Sequence, residues 1–336
     1  MKSIYNDYRG KTVPKPKLSV NKQAFHLVER LCDEAEEYGI TAKKTGLGAT
    51  LIDAGITTKG SFQAGKVITE ICLGGYGKAR IFPAQYDDLT LLSIFVQTSH
   101  PAVATLGSQF AGWQIKVDDY SAIGSGPARA LALKPRELYE KIGYKDEADS
   151  AVLVLETSEE PPDSVVKLLS KECNVKSNRL FLILVPTTSV AGSAQISGRV
   201  VETGLHRLTK LGLDPKLVTH AWGHAPIAPL HPRFAEAMGR TNDAIMYAGV
   251  AYYSVVGYKS DEKLRALAEK APSSSSRSYG RPFLQVFKEA EYDFYKIDPD
   301  LFAPAVLLVN NAETGSILRF GRVNVEVLKR SIGIQA

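Results

Sequence analysis

Runs of apolar residues alternate along the chain with segments in which apolar positions recur every three to four residues. The short runs predict buried strands at 49–55, 89–99, 151–157, 179–187 and 302–311. The periodic segments predict amphipathic helices at 21–38, 61–75, 100–112, 161–174, 194–212, 262–271, 282–294 and 323–331. Strands and helices that alternate in this way predict the α/β fold class.

Chain length and one change in composition predict the domain organisation. The chain has 336 residues, more than one hydrophobic core usually holds, so we expect two α/β domains. The polar residues 1–18 predict a flexible N-terminal extension. The acidic loop GYKDEADS precedes a new strand, which predicts a first domain over 19–150 and a second over 151–336. A return of the last 40 or so residues to the first domain stays open.

Three short segments resemble one another. They are AGKVITE (64–70), SGRVVE (197–202) and FGRVNVE (320–326), each with Gly, a cation, Val and then Glu. If they mark an internal duplication, at least two of them should occupy equivalent positions in two similar halves. A chance match is the alternative.

Composition and charge exclude several classes of protein. Hydrophobic residues make up 44% and charged residues 23%, which is typical of a soluble globular protein. The net charge is +5, with no block of basic residues, so we expect no nucleic-acid partner. No apolar run reaches the about 18–20 residues of a membrane helix, and the N-terminus lacks a signal-peptide core. Three cysteines without a CxxC motif indicate free thiols, so we expect a cytoplasmic protein without a membrane partner.

The sequence contains few candidates for metal ligands or for a catalytic nucleophile. His220 and His224 have the spacing that binds zinc on a helix, but the prolines and glycine of HAWGHAPIAPLH argue against a helix. We therefore predict no metal site. Ser125 lies between glycines in GSGPARALALKP, where a tight turn or an anion-binding turn is favoured over a nucleophile. No nucleotide-binding motif is present.

The stretch SAQISGRVVETG follows a predicted strand and places Arg199 three residues before Glu202. On a helix, side chains at this spacing share a face, so a surface ion pair is one interpretation. The other is a catalytic carboxylate with a positioned cation. The small and polar neighbours, and the position after the carboxyl end of a strand, favour a ligand site.

Several long motifs carry a resemblance to a known family. They are TSHPAVATLGSQ, GSGPARALALKP, PTTSVAGSAQISGRVVETG, AMGRTNDA, YGRPFLQVFKEAEYDFYKID and LFAPAVLLVNN. With them the chain resembles methenyltetrahydromethanopterin cyclohydrolase from about residue 19 to its C-terminus. The resemblance implies two α/β domains with a substrate pocket between them, assembled as a homotrimer in the cytoplasm.

The resemblance also implies a reaction. Water adds to the methenyl carbon that bridges N5 and N10 of tetrahydromethanopterin, and the N5-formyl product forms when the bond to N10 opens. The substrate is itself an electrophilic cation, so no metal or redox cofactor is implied. The pathway would be one-carbon metabolism, in methanogenesis or in formaldehyde oxidation.

Residue roles follow from the matching motifs. The resemblance implies that Glu202 is the base for the attacking water and that Arg199 keeps it ionised and oriented. Two further roles remain open for Arg199, the positioning of water and contact with a pterin oxygen.

Other residues are predicted to bind the substrate, and one departs from the family. Gln195 and Ser197 are candidate donors in the pocket, and Ser99 and His100 are candidates because their motif matches. Phe110 stands where the family often has lysine, so contact with the anionic part of the substrate must come from another group or be weaker.

Two alternative functions stay open at this point. One is a hydrolase or transferase that acts on a phosphorylated metabolite through the GSGPARA turn. The other is a pterin-binding protein without turnover.

Overall fold

Residues 17–334 are described by the computed structural model, and their elements alternate between strands and helices. The strands are β1 Thr41–Lys44, β2 Thr50–Asp53, β3 Gly77–Tyr86, β4 Leu89–Thr98, β5 Trp113–Val117, β6 Tyr120–Ser125, β7 Ala151–Glu156, β8 Leu180–Leu184, β9 Val218–Pro226, β10 Val250–Val255, β11 Val306–Asn311 and β12 Ile317–Gly321. The α-helices are α1 Val20–Asp33, α2 Ala35–Tyr38, α3 Phe62–Cys72, α4 Arg129–Ala132, α5 Arg136–Ile142, α6 Asp163–Cys173, α7 Val190–Ser197, α8 Val200–Lys210, α9 Phe234–Ala248, α10 Asp261–Ala268, α11 Phe283–Glu289 and α12 Val325–Ile332. A π-helix spans Ala102–Gln109. The predicted α/β class is confirmed.

The strands form two mixed sheets of six strands each. The first sheet has the order β1-β2-β8-β7-β6-β5, and the second has the order β12-β11-β10-β9-β4-β3. β8 is parallel to both β2 and β7, and β10 is parallel to β11; the other pairs are antiparallel. Two sheets of this kind are consistent with the two predicted domains.

The central strands β2, β7 and β8 of the first sheet are buried on both faces. Ile52 and Val154 face one core with α1 and α3, whereas Leu153 and Leu182 face a second core with α6. Parallel strands covered by helices on both sides need apolar residues at every position. This explains why β7 and β8 read as continuous apolar runs in the sequence.

The second sheet contains a long strand that the sequence did not predict. β3 has polar residues between its apolar ones and carries Pro83. It lies at the edge of the sheet, where a residue without an amide hydrogen breaks no internal ladder. On one face of this sheet α8 packs on β9 and β10, and the Tyr253 hydroxyl donates to the Val201 carbonyl over 2.8 Å.

The predicted domain limits stay a prediction. The division between the two sheets does not fall at residue 150. β6 pairs with β7 across this point, and β3 and β4 belong to the second sheet although they precede it. The C-terminal strands β11 and β12 share that sheet with them. Most of the predicted extension, residues 1–16, lies outside the described residues. Lys17 pairs with Glu147 at 2.7 Å, and the Leu18 carbonyl accepts from the Tyr144 hydroxyl.

The internal duplication is not confirmed. The segment 64–70 lies within α3, the segment 197–202 spans the junction of α7 and α8, and the segment 320–326 runs from β12 into α12. The three segments therefore occupy different kinds of position.

The predicted helix over 194–212 was wrong in one respect, because it is broken at Gly198. This residue and Arg199 have ψ angles of −3° and 0°, so the backbone turns between α7 and α8. The turn brings Gly198 against α3, where a Cβ atom on Gly198 would lie 2.5 Å from Cγ2 of Thr69. Packing between two helices therefore overrides the helical periodicity.

Helices α3 and α7 cross at close range. Gly65 of α3 lies against α7 at this crossing and provides a test of how tightly the two helices pack. An added Cβ would lie 2.6 Å from Cβ of Ala194 and 2.8 Å from the Ala191 carbonyl oxygen. Alanine usually stabilises a helix by about 1 kcal/mol relative to glycine. Here we expect Gly65→Ala to destabilise the protein by about 1–3 kcal/mol, because the crossing must open.

Urea denaturation of wild type and variant measures this change. Gly46→Ala is the matched control, since a Cβ there meets nothing within 4 Å, and we expect a change within about 0.5 kcal/mol. A Gly65→Ala protein as stable as wild type would contradict a tight crossing.

Candidate active site

A pocket of about 630 Å³ opens beside the first turn of α8. Its walls come from the end of the π-helix, from α7 to α9 and from the short 3₁₀ turn Pro299–Leu301. The lining residues are Phe110, Ala111, Ile196, Arg199, Glu202, Thr203, His206, Arg207, Lys210, Asn242, Ile245, Met246, Pro299, Asp300 and Phe302. Ile196, Arg199, Glu202 and Thr203 of this lining belong to the segment SAQISGRVVETG.

Glu202 is the buried carboxyl of this pocket. The residue is 5% exposed and lies in the first turn of α8, where the helix dipole favours a negative charge. Burial raises the pKa of Glu202 to about 7, and the positive charges of Arg199 and then Arg129 oppose the rise. The alternative interpretation as an exposed ion pair does not hold, because this carboxyl is shielded from solvent. A carboxyl with a pKa near neutrality can accept and release a proton at physiological pH.

Arg199 is held by three acceptors from different parts of the fold. Its Nη1 donates to the Gln109 carbonyl over 2.6 Å, and its Nη2 donates to Ser125 Oγ over 2.8 Å and Gln195 Oε1 over 3.0 Å. It makes no ion pair with Glu202 within 4.0 Å. Its charge therefore acts on the carboxyl across a gap. Its predicted role in fixing the orientation of Glu202 stays a prediction.

His206 is a pocket residue that the sequence prediction missed. Its ring lies against Phe110, with centroids 4.6 Å apart, and burial lowers the pKa of His206 to about 4. The ring is therefore neutral at pH 7. The signal was available, since His206 follows Glu202 by one helical turn and must share its face.

Two predicted substrate contacts are engaged in holding the fold. Gln195 is buried, and its Oε1 accepts from Arg199. Ser197 is fully buried, and its hydroxyl donates to the Pro226 carbonyl over 2.8 Å. Neither residue lines the pocket of Glu202. Gln195 contributes by positioning Arg199.

Ser99 and His100 lie elsewhere. They line a separate pocket of about 540 Å³, together with Tyr76, Trp222 and other residues at the ends of β3, β4 and β9. The structure does not bring them together with Glu202. Their predicted contact with the substrate stays a prediction.

Of the two interpretations of the GSG segment, a tight turn and an anion-binding turn, the second gains no support from the structure. Gly124 and Ser125 end β6, and the following helix α4 has only four residues. Ser125 instead accepts a hydrogen bond from Arg199, which links the first sheet to the start of α8.

The first part of the histidine-rich stretch is a strand and not a helix, in agreement with the glycine and prolines that argued against a helix. His220 and His224 belong to β9, and His231 lies beyond its end. Among residues 17–334, no group of three or more His, Cys, Asp or Glu side chains is arranged to hold a metal ion. In the same range no helix is long and apolar enough to cross a membrane.

Phe110, where a lysine was expected from the family resemblance, packs against two other residues near the pocket. The Phe110 ring lies between His206 and the guanidinium of Arg129, which is 5.3 Å from the ring centroid. The remaining cations on this wall are Arg207 and Lys210, and Arg207 forms an ion pair with Asp300. Lys210 is therefore available as the alternative group that the missing lysine would require.

Comparisons with known proteins agree with the geometry. The model of a family described as Cyclohydrolase (MCH) matches residues 19–332. The chain belongs to this family. It is 47% identical over 319 residues to the methenyltetrahydromethanopterin cyclohydrolase of Methanocaldococcus jannaschii, covering 94% of this chain and 98% of that protein. The enzymes of the same name from Methanothermobacter marburgensis and Methanococcoides burtonii are 46% and 42% identical and match 94% and 95% of the chain, with 100% and 99% of their own length covered. The resemblance found in the sequence is confirmed.

The electrostatics of Glu202 can be measured without substrate. In an infrared difference titration of wild type against Glu202→Gln, we expect the protonated carboxyl band to disappear around pH 7, well above the ordinary value of 4.5. Arg199→Ala removes a positive charge that stabilises the carboxylate, so the midpoint should move to higher pH. Arg281→Ala is the control, because this arginine forms an exposed pair with Glu289. A wild-type midpoint near 4.5 would contradict the buried, raised-pKa carboxyl.

Proposed function

We propose that the chain hydrolyses the methenyl bridge of 5,10-methenyl-tetrahydromethanopterin to give N5-formyl-tetrahydromethanopterin. The observation that carries the proposal is the buried carboxyl of Glu202, with a pKa of about 7, in the wall of a pocket of about 630 Å³. The relatives named for this reaction match nearly the whole chain, which supports the same substrate class.

The chemistry suits such a carboxyl. The ionised Glu202 removes a proton from water while the water oxygen bonds to the methenyl carbon. The carbon now carries a hydroxyl group. Its bond to N10 breaks with the electron pair staying on N10, which takes a proton, and the hydroxyl gives up its own proton as the C=O bond of the N5-formyl group forms. One proton is released to solvent overall. The cationic substrate favours the carboxylate form of Glu202 when it binds, because a nearby positive charge lowers the pKa of a carboxyl.

The cations of the site have a different task. Arg199 is fixed by Gln109, Ser125 and Gln195, so its charge stays near Glu202 without neutralising it by direct pairing. A direct pair would hold the carboxylate away from water. In the proposed mechanism Arg199 keeps part of the carboxyl ionised and leaves its oxygens free to bind the attacking water.

The proposal includes no metal and no redox cofactor, since the substrate brings its own electrophilic carbon. It also includes a homotrimer, which rests on the family resemblance alone, and a cytoplasmic location, which the three free cysteines support. A function at the GSGPARA turn is not favoured, because Ser125 is engaged by Arg199.

Substrate choice is tested by comparing the methenyl derivatives of tetrahydromethanopterin and tetrahydrofolate. The aryl group next to N10 carries an electron-withdrawing carbonyl in folate and an alkyl chain in methanopterin, so the two bridges differ in reactivity and the tails in shape. We expect a higher kcat/KM for the methanopterin substrate, read from the loss of methenyl absorbance. Equal or higher efficiency with the folate substrate would overturn this assignment.

The role of Glu202 is tested by Glu202→Gln, which keeps the size of the side chain but cannot accept a proton. We expect kcat to fall by about 10²–10⁴-fold, with a smaller effect on KM. Circular dichroism confirms that the variant is folded. If kcat stays within a few-fold of wild type, Glu202 is not the base, and His206 in the same pocket becomes the next residue to replace.

A further inference from the structure

Arg129, the first residue of α4, is buried to 0% exposure although it carries a charge. Its Nε donates to the Lys134 carbonyl over 2.8 Å. Its Nη1 donates to the carbonyls of Leu106 and Ser108 over 3.3 and 3.0 Å. A buried cation is costly unless something nearby stabilises it.

Two of the three carbonyls that Arg129 binds, those of Leu106 and Ser108, belong to the last turn of the π-helix. The next carbonyl along the chain, that of Gln109, accepts from Arg199. One helix end therefore holds two guanidinium groups, as expected where the partial negative charge of a helix C-terminus meets cations. The same backbone segment fixes both Arg129 and Arg199.

Arg129 also supports the wall of the pocket. Its guanidinium lies 5.3 Å from the centroid of Phe110 and 5.6 Å from that of Tyr139. The opposite partner of Phe110 is His206, and both rings line the pocket of Glu202.

We propose that Arg129 is a positioning residue of the active site: the π-helix fixes its buried charge close enough to Glu202 to stabilise the ionised carboxyl together with Arg199. The inference rests on the proposed function for the role of Glu202 and adds a residue to it.

Electrostatic coupling runs in both directions. The charge of Arg129 lowers the pKa of Glu202, and the charge of Glu202 raises the pKa of Arg129 against the effect of burial. Nη2 of Arg129 has no hydrogen-bond partner among the described residues, so holding the backbone does not use all of its donors.

Other titratable groups also surround the carboxyl. Those coupled to Glu202 or lining its pocket are Arg199, His206, Arg207 and Lys210 on or beside α8, Cys72 on α3, Tyr253 on β10, and Asp300. Among them Cys72 and Tyr253 are neutral at pH 7, because burial raises the pKa of each. Arg129 and Arg199 are the cations that lower the pKa of Glu202.

The test replaces Arg129 and follows kcat against pH. Arg129→Gln removes the charge, and Arg129→Met does so with an apolar side chain of similar length. In both we expect the acid limb of the kcat profile to move up by about one pH unit, which lowers kcat about tenfold at pH values below the limb and much less at pH 9. Arg129→Lys keeps a charge but cannot reach three carbonyls, so kcat should fall at every pH while the limb stays in place.

Tyr139→Phe is the matched control. The Tyr139 hydroxyl donates to the Gly107 carbonyl of the π-helix over 2.9 Å, so the variant loosens this helix without changing a charge. We expect its acid limb to coincide with that of wild type. A limb that moves equally in Tyr139→Phe and Arg129→Gln would assign the effect to packing and overturn the proposal.

An unmoved limb in a folded Arg129→Gln or Arg129→Met enzyme also overturns the proposal. If neither neutral variant folds, Arg129→Lys decides, since a limb displaced by a unit despite the retained charge refutes the electrostatic role. The infrared titration of Glu202 needs no substrate. Carried out on Arg129→Gln and compared with wild type, it tests the coupling of Arg129 to Glu202 even if wild type does not turn over the methanopterin substrate.

Discussion

The carboxyl of Glu202 is buried, and the free energy needed to ionise it there is the constraint on which the site depends. Burial alone would keep the group protonated and unable to act as a base. Two guanidinium groups oppose this effect without forming a contact ion pair with it. The resulting pKa of about 7 leaves the carboxyl able to exchange a proton near neutral pH.

Much of the surrounding fold holds the two guanidinium groups in place near Glu202. The π-helix ends with its carbonyls directed at Arg129 and Arg199, and Gln195 and Ser125 complete the acceptors of Arg199. The turn at Gly198 places Arg199 before α8, so that Glu202 occupies the first turn of that helix. This turn requires the close crossing of α3 and α7, in which glycine leaves space for the facing helix. Tight helix packing and the electrostatics of Glu202 are therefore coupled in one region.

Phe110 is an aromatic residue in the wall of the pocket that contains Glu202. An aromatic ring here stacks between Arg129 and His206 and extends the apolar part of the wall. Arg207 and Lys210 are cations that also line this pocket. The wall of the pocket therefore combines an apolar part with cationic groups.

The sequence by itself determined the α/β class, the family and the segment that carries Glu202, because apolar periodicity and long ordered motifs are local properties. It did not determine the edge strand β3, whose proline is tolerated only because no neighbour pairs beyond it. It could not predict the break at Gly198, which arises from contact with a helix more than a hundred residues earlier. Nor could it separate Ser99 and His100 from the pocket, assign Ser197 to the Pro226 carbonyl, or reveal Arg129 beside Glu202. These relations join residues distant along the chain, and only the tertiary structure fixes which side chains share a buried space and therefore which charges act on one another.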